Sequence, residues 1–293
     1  MRIRMAENFR AVFYAPFYAA QALGFYAREG VEVELLTSSA PGGGPTALAD
    51  GSADLTWGGP LRVMKARDED PASPLVCFCE VVGRDPFFLL GNRDAASFRL
   101  EDLPRLRFAT VSEVPTPWLC LQHDLRERGI DPTQLNRVTG RTMGENLAAL
   151  QQKRLDAIQV FEPYASLAVR DGAKVLYAAS TRGPTVYTTF LATRAGIARH
   201  RDAFAALTRA MGRMQHWLAE NDADKLAEAV APFYPGVERD VLTSAMERYR
   251  QGGLWSRSTD VSRQGFARLG ESLVSGGYIS RAPVYADCVD GTV

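Results

Sequence analysis

The stretch that decides the fold is YAPFYAAQALGFYAREGVEV, residues 14–33. Its first part predicts a helix over residues 16–27, because a proline is well placed near the helix start and apolar residues recur on one face. Gly30 ends this helix, and residues 31–35 then alternate apolar and acidic side chains, as a strand with one solvated face does. A strand is also predicted before the helix, at residues 2–7. Strand, helix and strand in this order indicate a mostly parallel α/β sheet.

The alternation of strands and helices continues through two successive units. The first unit is completed by a predicted helix at 46–50, a strand at 54–57, a helix at 61–66 and a strand at 75–82. The second unit has predicted strands at 87–90, 106–111, 155–160 and 174–177, and helices at 115–128, 144–152 and 163–170. After residue 195 the apolar spacing becomes helical, with further helices near 223–231, 237–250 and 262–275. The chain is therefore expected to be two α/β units followed by a helical tail.

The charge balance argues against several broad classes of partner. The 293 residues include 34 Lys plus Arg and 34 Asp plus Glu, which gives no general attraction for nucleic acid or an anionic membrane. No apolar stretch approaches the ~18–20 residues of a membrane span. Residues 1–7 are polar and soon acidic, unlike a secretory signal. Either an export signal has been removed from a periplasmic protein, or the protein works in the cytoplasm.

The cysteines and histidines do not form a metal-binding or catalytic pattern. Cys77 and Cys79 alternate within a predicted strand, so both side chains are expected on one face, where two ligands make a poor metal site. Cys120 and Cys288 are isolated, the three histidines are scattered, and no serine or cysteine nucleophile motif is present. We expect four buried thiols, no metal, no cofactor and no catalytic residue.

Candidate ligand-binding residues follow from one rule of α/β architecture. Ligands of open α/β sheets bind beyond the carboxyl ends of the strands. After the strands of the first unit, this rule selects Asn8, Phe13, Tyr14, Gly43, Gly44, Trp57 and Gly58. After those of the second unit, it selects Ser112, Glu113, Thr116 and Glu162, and Tyr187 is added where the chain returns.

Two of these segments suit an anion. The glycines of residues 42–44 precede a helix, so their N–H groups are placed either to face an anion or to form a plain surface turn. This loop lacks the lysine of a phosphate-binding loop. Ser112 and Thr116 flank a helix start, where they either bind a carboxylate, sulfonate or phosphate or simply cap the helix.

The remaining candidates suit a planar or amine-bearing ligand. Glu162 either accepts hydrogen bonds from an amine or aminopyrimidine, or is an acidic residue stabilised at a helix start. Tyr14 and Trp57 are expected to stack on a flat ring, whereas Phe17 and Trp118 are more typical of a core. The ligand predicted from these residues is a small planar or anionic compound.

Several of the same segments resemble the NMT1/THI5-like family, which includes binding proteins for nitrate, alkanesulfonates, taurine and thiamine-pyrimidine precursors. Residues 14–26 and 29–33 are similar to the opening of that family. Gly51-Ser52-Ala53-Asp54-Leu55 resembles its step into the third strand, and Leu155-Asp156-Ala157 and Glu162-Pro163 resemble points in its second lobe. The resemblance covers roughly residues 3–195 by motif order.

The resemblance implies a type II periplasmic-binding-protein fold, with two α/β lobes joined by crossovers near Arg84–Leu90 and Thr185–Ala192. Residues 1–88 would begin lobe 1, residues 89–188 would form lobe 2, and residues 189–293 would complete lobe 1 with helices. It also implies a solute receptor that closes on a small molecule by hinge motion, presented to the membrane subunits of an ABC importer if the protein is exported.

Other readings of this resemblance remain open. A pyrimidine-precursor synthase shares the implied fold and carries a Cys-Phe-Cys ending, which residues 77–79 copy at a different place. A lyase would need a carboxyl group with a shifted pKa in the cleft, for which Glu113, Glu145 and Glu162 are the candidates. A cytoplasmic ligand sensor is the third alternative.

Overall fold

The computed structural model describes residues 1–37 and 43–293, in which ten strands form two separate sheets. The strands are β1 (Arg2–Ala6), β2 (Glu32–Leu36), β3 (Leu55–Gly58), β4 (Leu75–Val82), β5 (Phe88–Gly91), β6 (Phe108–Ala109), β7 (Arg137–Val138), β8 (Ala157–Val160), β9 (Lys174–Ala178) and β10 (Thr188–Thr193). The helices are α1 (Ala15–Ala22), α2 (Phe25–Arg28), α3 (Gly43–Ala49), α4 (Leu61–Glu69), α5 (Thr116–Glu127), α6 (Met143–Gln151), α7 (Tyr164–Arg170), α8 (Arg194–Glu220), α9 (Ala223–Val230), α10 (Arg239–Gln251), α11 (Arg263–Ser275) and α12 (Tyr285–Cys288).

Each sheet belongs to one lobe. The sheet of lobe 1 has the order β2-β1-β3-β10-β4, and the sheet of lobe 2 has the order β7-β6-β8-β5-β9. The chain passes from lobe 1 to lobe 2 through residues 83–87 and returns through residues 179–187. Both connections overlap the crossover segments that the family resemblance implied, and the ligand cleft is expected between the lobes.

The sheets are mixed, whereas the alternation of strands and helices predicted mostly parallel ones. β1 pairs in parallel with β2 and β3, and β6 pairs in parallel with β7 and β8. β10 is antiparallel to β3 and β4, and β5 is antiparallel to β8 and β9. The antiparallel strands are the two that follow a crossover, and a strand that enters its sheet from the other lobe is not bound by the βαβ connection that makes neighbours parallel.

The helix predicted over residues 16–27 is divided in two. Gly24 adopts a φ of 72°, a left-handed conformation that interrupts the hydrogen-bond ladder between α1 and α2. Gly30 has a φ of 75° and ends α2, as its position predicted. The predicted glycine loop is only partly described: Gly43 begins α3, and residues 38–42 lie outside the described residues.

Cys77 and Cys79 do not share a face of β4, contrary to the prediction from strand periodicity. Cys77 packs in a cluster with the C-terminal helices, and Cys79 packs in the main core of lobe 1. Cys79 has a φ of 54°, and the pairing of β4 with β10 shifts register beside it. A bulge of this kind inserts one residue and reverses the alternation. All four thiols are buried and none is in a disulfide.

The C-terminal helices complete the core of lobe 1. α8 buries Phe204, Leu207, Met211 and Met214, the apolar series whose spacing predicted it. α10 and α11 extend further and pack against α7 and α5 of lobe 2. In residues 1–37 and 43–293, no helix has the length and apolar character needed to cross a membrane.

Candidate functional site

A cavity of 80 Å³ lies between the lobes, and we call it the cleft cavity. Lobe 1 and its C-terminal part supply Asn8, Phe9, Phe13, Tyr14, Gly59, Leu61, Arg62 and Tyr278 to its lining. Lobe 2 supplies Val114, Pro115 and Thr116, and the second crossover supplies Tyr187. Most of these residues follow the carboxyl ends of strands, which is where the ligand of an α/β fold is expected.

The segment after β1 forms the aromatic floor of the cavity. Residues Val12–Tyr14 make one turn of 3₁₀ helix directly before α1, and this turn directs the rings of Phe13 and Tyr14 inward. Phe9 contacts Tyr14 edge to face at 5.3 Å between ring centroids. Edge-to-face pairs are favourable because the positive edge of one ring meets the negative face of the other. The floor is therefore apolar and rigid.

A short polar chain crosses this floor. Asn8 donates from Nδ2 to the hydroxyl of Tyr14 at 3.2 Å, and its Oδ1 accepts from Nη2 of Arg62 at 3.3 Å. Burial raises the pKa of Tyr14 to about 12, despite the hydrogen bond from Asn8 and the nearby charge of Arg62. Tyr14 is therefore a neutral phenol at physiological pH and keeps a proton that it can donate.

Arg62 lies in the first turn of α4, and its side chain is half-buried. Its Nε is buried and has no hydrogen-bond partner within the described part of the chain. Among the ion pairs of residues 1–37 and 43–293, none includes Arg62. A buried guanidinium that lacks a carboxylate partner can accept one from a ligand.

Gly59 allows the cavity wall to close beside Arg62. A Cβ on Gly59 would lie 2.6 Å from Cδ2 of Leu61 and 3.4 Å from the carbonyl oxygen of Tyr187. A side chain at this position would displace the end of the Leu61 side chain. Gly58 lies one residue before the wall, where a Cβ would be 3.8 Å from Nε of Arg62.

Tyr187 brings a second phenol from the crossover. It is 7% exposed, and its hydroxyl has no hydrogen-bond partner among the described residues. Burial raises its pKa well above the ordinary tyrosine value, and the negative charges near it act in the same direction. Tyr187 is therefore also a neutral donor. Its ring contacts Phe13 edge to face at 6.0 Å.

Lobe 2 contributes the first turn of α5. Val114 and Pro115 precede the helix, and Thr116 begins it with 7% of its surface exposed. The N–H groups of a first helical turn have no intrahelical acceptors, so they face outward as donors. This turn and Arg62 approach the cavity from opposite lobes.

Five of the residues predicted from strand ends are brought together here: Asn8, Phe13, Tyr14, Thr116 and Tyr187. Trp57 is not among the lining residues. It is 1% exposed and stacks on Phe17 at 4.7 Å between ring centroids, behind the floor of the cavity. Gly43 and Gly44 lie on α3, where Gly44 packs against Thr56. Direct ligand contact by Trp57, Gly43 or Gly44 stays a prediction. The places of these residues in the fold do not favour it.

Apart from Thr116, the predicted polar residues of lobe 2 are engaged elsewhere. Glu113 accepts a hydrogen bond from the N–H of Met143 at 2.8 Å, at the start of α6. The Ser112 hydroxyl donates to the carbonyl of Arg141 at 2.8 Å. Glu145 accepts from the N–H of Thr142 at 2.8 Å and caps the same helix. None of these acids lines the cleft cavity.

Glu162 is completely buried between lobe 2 and α10. Its Oε1 accepts from Nε of Arg248 at 2.8 Å, and its Oε2 accepts from the N–H of Ser166 at 2.8 Å. Burial raises its pKa, and the charge of Arg248 lowers it in part. The carboxylate therefore joins the lobes and does not face the cavity.

A second buried charge cluster lies at the hinge. Arg182, in the second crossover, forms ion pairs with Asp85 of the first crossover and with Asp124 of α5. All three side chains are buried, and Tyr177 also donates to Asp124 at 3.0 Å. This cluster ties both crossovers to lobe 2.

Sequence reasoning missed Leu61, Arg62 and Tyr278. Arg62 follows Trp57-Gly58-Gly59 by a few residues, so extending the strand-end rule into the next helix would have found it. Tyr278 follows α11 and reaches the cavity from the far C-terminal part of the chain. No local pattern marks such a residue.

Comparisons with known proteins agree with this architecture. The binding protein YtlA of Bacillus subtilis (strain 168) is 24% identical over 253 residues, which span 85% of this chain and 76% of that protein. The periplasmic aliphatic sulphonate binding protein SsuA from Escherichia coli superposes with a TM-score of 0.76 at 18% identity, covering 98% of this chain and 97% of that one. A ligand-binding component of an ABC-type import system from Staphylococcus aureus gives a TM-score of 0.74 at 16% identity, covering 99% and 96%.

These structural likenesses confirm the two-lobed type II periplasmic-binding-protein fold. The family model described as NMT1/THI5 like matches residues 12–224, well over half of the 293 residues. The chain therefore belongs to the NMT1/THI5-like family.

Proposed function

We propose that this protein is a solute receptor that captures a small molecule in the cleft cavity by closure of its two lobes. The observation that carries the proposal is the composition of the cavity wall, which combines residues of lobe 1, lobe 2 and a crossover. A ligand that contacts all three has a higher affinity for the closed arrangement and stabilises it. The relatives support the same role, because they are binding proteins and components of import systems.

The cavity favours binding over chemistry. Its twelve described lining residues include no aspartate, glutamate, histidine, cysteine or lysine. Tyr14 and Tyr187 are held as neutral phenols, because burial raises the pKa of each. Tyrosines in this state donate hydrogen bonds but are poor general bases. We therefore infer a receptor and not a lyase or a pyrimidine-precursor synthase.

If the protein is exported, the partner that reads its closed form would be the membrane subunits of an ABC importer. This expectation rests on the Staphylococcus aureus protein, a ligand-binding component of an ABC-type import system that shares the fold. Closure would change the relative position of the lobes, and a membrane partner that contacts both lobes can detect that change.

The proposal is tested by a thermal-shift screen against carboxylates, sulfonates, nitrate, aminopyrimidines and purines. A ligand at about 100 times its Kd stabilises the folded state by about 2.7 kcal/mol. Mass spectrometry of the recovered ligand then separates the readings: an unchanged compound supports the receptor, and conversion to a product contradicts it. Small-angle scattering with the hit should show a smaller radius of gyration than without it.

A matched pair of variants locates the site. Tyr187→Phe removes one hydroxyl from the cavity wall and should weaken binding of the hit. Tyr285→Phe removes a hydroxyl that donates to the carbonyl of Val261, away from the cavity, and should leave binding unchanged. Equal effects of the two variants would contradict the placement of the site.

A further inference from the structure

The charge of the cleft cavity suits one negative charge on the ligand. Arg62 is the one lining residue with a charged side chain among the twelve that the structure describes. Its buried Nε lacks a hydrogen-bond partner there. The buried N–H of this half-buried guanidinium has lost its contact with water, and a ligand anion would supply the missing partner. A second negative charge on the ligand would remain uncompensated.

Two phenols of the cavity wall can donate hydrogen bonds to a ligand. The hydroxyl of Tyr187 is buried without a partner among the described residues, and Tyr14 already accepts from Asn8, so its own proton can point to the ligand. Arg62 adds an N–H from a planar fork. Tyr14, Tyr187 and Arg62 line the same cavity, so all three can donate to an acceptor-only group, and the planar fork of Arg62 matches the two oxygens of a carboxylate.

The size of the cavity restricts the rest of the ligand. Its 80 Å³ is about half of the ~150 Å³ that holds one benzene ring in an engineered apolar cavity. Benzene has six non-hydrogen atoms, so this volume suits a ligand with fewer than six. Phe9, Phe13, Leu61 and Val114 supply the apolar wall for those atoms. A short hydrocarbon chain fills such a space, and a six-membered ring does not.

We infer, on the basis of the proposed receptor function, that the cleft cavity binds a short monocarboxylate of two or three carbons. Its carboxylate pairs with Arg62 and accepts from Tyr14 and Tyr187, and its carbon chain packs on the aromatic floor. Asn8 acts as a positioning residue, because its amide holds both Arg62 and Tyr14 in place.

The experiment is isothermal titration of the full chain with acetate, propanoate, butanoate, hexanoate and benzoate. Propanamide serves as the uncharged analogue of propanoate, and ethanesulfonate replaces its carboxylate with a three-oxygen head. We expect the tightest binding with acetate or propanoate. We expect propanamide to bind at least tenfold more weakly, because charge-assisted hydrogen bonds are the stronger ones.

Variants test the role of Arg62. Arg62→Met keeps the aliphatic stem and should weaken propanoate binding by about 10- to 100-fold. Arg62→Lys keeps the charge without the fork and should recover part of that loss. Arg67→Met is the control. Arg67 lies on the same helix as Arg62 but donates to the carbonyl of Pro71, outside the cavity, so this variant should bind propanoate as the unmodified protein does.

The outcomes separate this inference from the receptor proposal. Tighter binding of ethanesulfonate, butanoate, hexanoate or benzoate than of propanoate would overturn the ligand class, as would undiminished propanoate binding by Arg62→Met. If no carboxylate binds but another compound from the wider screen does, and Tyr187→Phe weakens it, the inference fails and the receptor stands. Failure of every compound in both panels contradicts the inference and the receptor together.

Discussion

Replacing Arg248 with methionine should destabilise the protein by leaving Glu162 charged and unpaired inside it. Glu162 is 0% exposed and belongs to lobe 2, and Arg248 belongs to α10 in the C-terminal part of lobe 1. Their Oε1–Nε distance is 2.8 Å. The variant Arg248→Met keeps most of the packing of the stem and removes only the charge and its donors.

The magnitude follows from two limits. Breaking a fully buried ion pair costs about 3–5 kcal/mol. Here Arg248 keeps 26% of its side chain exposed, so solvent already screens the pair and the cost is lower, about 2–3 kcal/mol. The carboxyl group can also escape its charge by binding a proton. At pH 7 protonation of a glutamate with an ordinary pKa near 4.3 costs about 3.7 kcal/mol, which sets an upper limit on the electrostatic loss.

Because protonation of Glu162 limits the electrostatic loss, the stability lost in Arg248→Met depends on pH. Burial raises the pKa of Glu162 in the folded state above its unfolded value, and loss of Arg248 raises it further. A raised pKa contributes stability that is present below the unfolded pKa and is lost as pH rises through the folded pKa. At pH 5 the protonation limit falls to about 1 kcal/mol. The deficit of Arg248→Met should therefore shrink between pH 7 and pH 5.

The assay is urea unfolding of each variant at pH 7 and pH 5, followed by tyrosine and tryptophan fluorescence. The double variant Glu162→Gln/Arg248→Met carries no buried charge and should be more stable at pH 7 than Arg248→Met alone. Arg250→Met is the control, since Arg250 lies on the same helix and pairs with the exposed Glu247. A loss below ~0.5 kcal/mol at pH 7, or a deficit that does not change with pH, would refute this reasoning.

Three further perturbations test the frame around the cavity by urea or thermal unfolding. Gly44→Ala places a Cβ 2.2 Å from Oγ1 of Thr56, a hydroxyl that also donates to the carbonyl of Ala6 in β1. The variant should lose about 1–3 kcal/mol of folding stability. An unchanged stability would show that α3 shifts freely. Trp57→Ala should lose about 3–5 kcal/mol of folding stability, because the indole is buried in the core. Any loss of ligand affinity should be recovered by Trp57→Phe, which keeps the stacking on Phe17. Burial raises the pKa of Glu80, so the contribution of Glu80 to stability falls as pH rises above about 4.3. Glu80→Gln should therefore reduce the change in stability between pH 5 and pH 7. An unchanged pH dependence would contradict this.

Much of the fold could be predicted from local periodicity. The helix and strand of residues 14–33, the apolar strand at residues 75–82 and the helical spacing after residue 195 all appear in the structure near their predicted places. These patterns are local because a strand repeats every two residues and a helix every 3.6. The strand-end rule also placed Asn8, Phe13, Tyr14 and Thr116 at one cavity, since it needs only the order of elements along the chain.

Contacts between distant parts of the chain could not be predicted in this way. A positive φ at Cys79 reversed the expected facing of β4, and no residue type at that position signals a bulge. Trp57 was expected at the ligand but packs behind it, because the direction of a side chain at a strand end depends on the register of its neighbours.

The sequence by itself therefore determined the order of the elements, the family resemblance and the segments that approach the cleft. Only the tertiary structure decided what each polar side chain does. Glu162 is neutralised by an arginine 86 residues away, whereas Arg62 has no acidic partner in the described chain and faces the cavity. The physical reason is that the fate of a buried charge depends on which opposite charge the fold brings within a few ångströms, and sequence separation carries no information about that distance.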